Sequence, residues 1–233
     1  MKPWIALLGK EISESRAFFA LMLGATLLLE GYAVVRSPEH LGAALLAFIP
    51  LWMVVFLVPF RLSHTMSLER RGQTHHLLYS LPIPAFSGLL CKVLAQLGAG
   101  MAVAGVALAG IHIVYGQLEG TLRFPGFPQV SGEAVTAFSG LGMAATTMLF
   151  LGVAVAVEGI RASLSRLRWL AIGSFLLVAF IAYVALMPDG LRLFHSAGLL
   201  GEGLGRAYFA YSSFAGLMFL GIGLALTEAF GEV

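Results

Sequence analysis

Six stretches of this chain are apolar for long enough to cross a bilayer, which as a helix takes about 20 predominantly apolar residues. They cover residues 17–35, 41–62, 89–115, 134–157, 169–187 and 207–230. Lipid offers no partner for a backbone amide, so each stretch must satisfy its own hydrogen bonds, and an α-helix does this within one segment. Composition agrees: only 11% of residues are charged, where a soluble domain carries about 25%. The expected fold class is an all-α integral membrane protein with six transmembrane helices, the whole chain 1–233 forming a single transmembrane domain.

The same composition removes other classes. A formal net charge of +2 with basic residues scattered among apolar spans gives no surface for nucleic acid. The single cysteine, Cys91, allows no internal disulfide and no paired-thiol metal or redox motif. The sequence contains no GxSxG, no HExxH, no GxxxxGK[ST] phosphate loop and no GxGxxG between a strand and a helix. The chain is therefore expected to be non-catalytic and to bind no cofactor of its own.

Residues 1–16 begin with Lys2 ahead of a short apolar run, but KEISESR follows instead of a small-residue cleavage site, so the segment is expected to be retained. Trp4, Ile5, Leu8 and Ile12 recur at helical spacing while Lys10, Glu11, Ser13 and Glu14 take the other side. This pattern predicts an amphipathic helix lying flat at the interface. The competing placement is that it simply begins the first span.

Orientation follows from Lys and Arg. With the N terminus inside, ten of the fourteen basic residues fall on the cytoplasmic side; Arg36, Arg123, Arg192 and Arg206 fall outside. Both termini are thus expected in the cytoplasm of a cell-membrane protein. The outer connections are short. The last of them, 188–206, is semi-apolar and is expected to dip into the outer leaflet as short helices.

Within the spans, Gly98, Gly100, Gly105, Gly216, Gly221 and Gly223 read as sites of close helix approach; sliding during a transport cycle is the other use of such residues. Glu30, set in LLLEGY, is the clearest ionisable residue inside a span. It either lines a translocation path or reaches the outer interface beside Arg36. No internal repeat supports an inverted-repeat transporter.

The longest polar interval is residues 63–92, SHTMSLERRGQTHHLLYSLPIPAFSGLLCK. Adjacent His75 and His76 cannot share a helix face and no orienting partner is evident, so no metal is assigned to them, to His64 or to Glu69. A helix over 68–81 would turn Leu77, Leu78 and Leu81 to one side and expose Glu69, Arg70, Thr74 and His75; Pro82 and Pro84 would stop it. Such a helix suits a groove on a soluble partner.

The run Glu69-Arg70, Gly72, Thr74, Leu77-Leu78, Pro82 and Lys92 resembles the cytoplasmic segment after the second span in permease subunits of ABC exporters of the second exporter class, also called type V. Gln73 separates Gly72 from Thr74, which are usually adjacent in that family. The resemblance implies a cytoplasmic coupling segment at 63–88, with Glu69, Arg70, Arg71, Thr74, His75 and His76 touching a separate ATPase subunit that holds ATP and Mg. It also implies pairing with a second permease subunit, identical or related. An ion-coupled secondary transporter and a non-catalytic structural membrane subunit are the alternative functions.

Overall fold

The computed structural model describes residues 2–36, 41–71, 85–118, 131–163, 167–196 and 204–230, and every one of these segments is helical along nearly its whole length. The helices are α1 (Lys2–Arg36), α2 (Leu41–Leu46), α3 (Ile49–Arg71), α4 (Ala85–Leu118), α5 (Gly132–Ser163), α6 (Arg168–Ser196) and α7 (Leu204–Phe230). Six of them, counting α2 with α3, are long and apolar enough to cross a membrane. Among the described residues, each of the six overlaps one of the six stretches read from the sequence.

Local chemistry explains several boundaries. Pro50 lacks the amide that would continue α2 into α3, and the chain turns there, with the Phe48 amide donating to the Leu45 carbonyl at 3.2 Å. Ser131 caps α5: its hydroxyl accepts from the Ala134 amide at 3.2 Å, and Glu133 in the first turn complements the helix dipole. Three span hydroxyls are satisfied by the preceding turn: Thr136 donates to Gly132, Thr146 to Gly142 and Thr227 to Gly223. That local bonding lets polar residues sit in lipid without a partner helix.

Helix α4 is the middle of one group, packing against α1, α3, α5 and α7. Its Val103, Ala107, Ile111 and Val114 interleave with Leu51, Val54, Val58 and Leu62 of α3 in one fully buried cluster. Gly100 lets the two helices close up, since a Cβ there would stand 2.9 Å from Val58 Cγ2. The second group is built on α5 and α7, the most extensively packed pair. Gly152 packs on the Gly216 backbone and Gly216 on the backbone of Met148 and Leu149; two turns on, Gly159 packs on Gly223 and Gly223 on the backbone of Val155 and Ala156. Helix α6 leans on α7 and presents Leu176, Leu177, Phe180, Ile181 and Val184 outward.

Three expectations change. First, residues 2–16 form no separate helix: α1 is continuous through Arg36, and of the expected polar side Lys10, Ser13 and Glu14 stay exposed while Glu11 is buried. Ile5 and Ile12 are 69% and 54% exposed while Glu11 and Ser15 turn inward, because α4 offers them Lys92 and Gln96 as partners. Second, α3 continues past the second span to Arg71 and α4 already begins at Ala85. Both flanks of 63–88 are therefore helical, and of the expected 68–81 helix residues 68–71 are the last turn of α3. Residues 72–84 lie outside those described. Third, α6 runs through Pro188 to Ser196, so residues 188–196 extend a span instead of forming re-entrant helices.

The glycines divide. Gly100, Gly216 and Gly223 are contact residues as expected, whereas a Cβ at Gly98, Gly105 or Gly221 would meet nothing within 4 Å.

Candidate functional site

The helices are bound together by charge at the end of the bundle where α1 begins. Lys92, on the second turn of α4, extends between two carboxylates: its Nζ donates to Glu11 Oε1 of α1 at 2.6 Å and to Glu69 Oε1 of α3 at 2.7 Å. The Lys92 and Glu11 side chains are each 4% exposed. Lys10 stands 3.8 Å from Glu69 and 3.5 Å from Glu14, so two ammonium groups face the carboxylates. A turn deeper, Gln96 Nε2 donates to Ser15 Oγ at 2.9 Å. Arg61 of α3 lies over the Phe18 ring of α1 at 5.3 Å from its centroid.

A second cluster extends this layer to the other helix group. Glu158 of α5, with 0% side-chain exposure, pairs with Arg161 one turn on and accepts from Ser63 Oγ of α3 at 2.7 Å. Arg161 also donates to Ser63 Oγ at 3.3 Å and stacks over Trp169 at the start of α6, 5.8 Å from the ring centroid. Taking two charges out of water costs several kcal/mol per ion, and only close, fully hydrogen-bonded geometry offsets it. These pairs thus hold five helix ends in one arrangement.

The residues expected from the sequence fall as follows. Glu69, 18% exposed, is the α3 member of the triad, turned toward Lys92. Arg70 and Arg71 occupy the last turn of α3. Thr74, His75 and His76 lie outside the described residues. Glu30 is buried in α1, 5% exposed, far from this layer. Among the described residues no cluster of three or more His, Cys, Asp or Glu is placed to hold a metal ion.

The sequence puts Glu11 on the polar side of residues 1–16 and Lys92 at the end of the polar run 63–92 without naming a partner for either, and it gives Glu158 no role. The i,i+3 spacing of Glu158 and Arg161 was the available signal for one pair; the contacts among Glu11, Glu69 and Lys92 join three helices and have no local signature. No protein-family model, curated protein or solved structure matches the chain.

Proposed function

We propose that the chain is the transmembrane permease subunit of an ATP-driven exporter, working with a separate ATPase subunit and a second permease. The observation that carries this reading is the Glu69–Lys92 ion pair. These residues flank residues 72–84, the core of the stretch that resembles the coupling segment of type V exporter permeases, and they join its two flanking helices to each other and to Glu11 of α1. A push delivered to that segment by an ATPase reaches α1, α3 and α4 together, and through Ser63 and Glu158 it reaches α5. A loop tethered only by flexible chain would absorb the same push.

Because Glu69 is engaged by Lys92, the partner contact is best tested at Arg70 and Arg71. Combined Arg70→Glu and Arg71→Glu substitution should weaken ATPase binding at least tenfold, about 1.4 kcal/mol, with the permease still folded. Unchanged binding and unchanged stimulation of ATP hydrolysis would refute the coupling role. An ion-coupled secondary transporter is the second reading, favoured by the buried carboxylate of Glu30. Transport that survives ATP depletion and collapses with the ion gradient would select it.

A further inference from the structure

Glu30 lies on α1 about 28 Å along the axis from Glu11, at a rise of about 1.5 Å per residue, beyond reach of Lys92 and Lys10. Neither of its carboxyl oxygens has a hydrogen-bond partner among the described residues, and the Thr26 hydroxyl, one turn below on the same face and fully buried, has none either. Space for the carboxyl comes from α4: a Cβ at Gly110 would collide with Glu30 Oε2 and Cδ. Ala33, three residues on from Glu30 in α1, and Ala107 and Ile111, three before and one after Gly110 in α4, are all fully buried.

The helices packed against α1 supply no cation at this level. Helix α2, LGAALL, has no titratable residue. On α3 the titratable residues are Arg61, His64, Glu69, Arg70 and Arg71, all toward the opposite end. On α4 the groups near Gly110 are His112, which is exposed, and Tyr115, whose ring packs edge-on against Phe48 at 5.7 Å. On α1 itself, Tyr32 and Arg36 are exposed. A carboxylate in such surroundings is strongly disfavoured unless a positive charge joins it.

We propose that Glu30, with the Thr26 hydroxyl, is a membrane-embedded monovalent cation site, filled by a proton or by an alkali-metal ion. One carboxylate balances one positive charge, and the oxygens of Glu30 and Thr26 are the hard donors that both candidates prefer. The assignment does not rest on the exporter reading and needs no ATPase for its test.

The test is infrared absorption of the full chain in lipid vesicles, comparing wild type with Glu30→Gln and Glu30→Asp. A carboxylic-acid band lost in Glu30→Gln and shifted in Glu30→Asp is expected near neutral pH. Its removal by Na⁺ or K⁺ at fixed pH identifies a metal cation as the competing occupant; removal only by raising the pH identifies the proton alone. Carbodiimide labelling of the wild type, read by mass spectrometry, gives a check that requires no variant: Glu30 should be modified, with less modification at higher pH or with added alkali-metal ion. The assignment is overturned if Glu30 gives no acid band between about pH 5 and about pH 9, its carboxylate absorption ignores Na⁺ and K⁺, and carbodiimide leaves it unmodified.

Discussion

Lys92 is held within 2.7 Å of two carboxylates from different helices, so its removal leaves Glu11 and Glu69 facing each other in a buried place. Lys92→Met should destabilise the protein by about 3–5 kcal/mol, the usual consequence of breaking a buried pair from one side. Adding Glu11→Gln should recover part of that loss, because the second change removes an uncompensated charge. Denaturant titration of both variants in detergent checks the order; equal stability of Lys92→Met and wild type would show that the triad carries no weight. At this scale the sequence was only partly legible. Glu30 stood out because an ionisable residue in LLLEGY has no local excuse, yet the glycine that makes room for it lies eighty positions away, at Gly110. Glu11 misled because Trp4, Ile5, Leu8 and Ile12 form an apolar face by themselves, and periodicity cannot tell whether lipid or protein covers which side.

Among the helices, the α5–α7 pair rests on backbone contact at Gly152 and Gly216, where a Cβ on Gly152 would collide with the Gly216 carbonyl oxygen. Gly152→Ala should therefore cost about 1–3 kcal/mol, the range for overpacking a close interface. Gly98→Ala, facing open space, should be neutral or stabilise by up to about 1 kcal/mol through helix propensity. Thermal unfolding of the two variants, each with one methyl added, separates these outcomes; equal losses would contradict the packing. Existence and number of spans were readable because apolar length is a local property. Their ends were not. Polar residues normally announce water, but here Glu11 and Glu69 are engaged by Lys92, and Glu158 by Arg161 and Ser63, so α1 and α3 run on past the places where polarity suggested a change. Pro188 likewise did not end α6, which continues to Ser196.

For the whole molecule, the expectation from the distribution of Lys and Arg is that the layer around Lys92 lies on the cytoplasmic side. Cys91 is 1% exposed, so a single added cysteine can report on sidedness against a quiet background. An impermeant thiol reagent applied to intact cells should label Asp189→Cys, at the far end of α6, and leave Ser13→Cys unlabelled; the opposite pattern would invert the topology. If that orientation holds, residues 72–84 face the compartment where ATP is available. The central claim is that an ATPase acts on that segment, and its most direct test is isolation of the full chain in mild detergent from its own membrane. The expected result is an ATPase bearing a phosphate-binding loop, present in constant ratio, with associated ATP hydrolysis that falls together with the ATPase recovered when Arg70→Glu and Arg71→Glu are combined. Recovery of the folded chain with no such subunit and no associated ATP hydrolysis would contradict it.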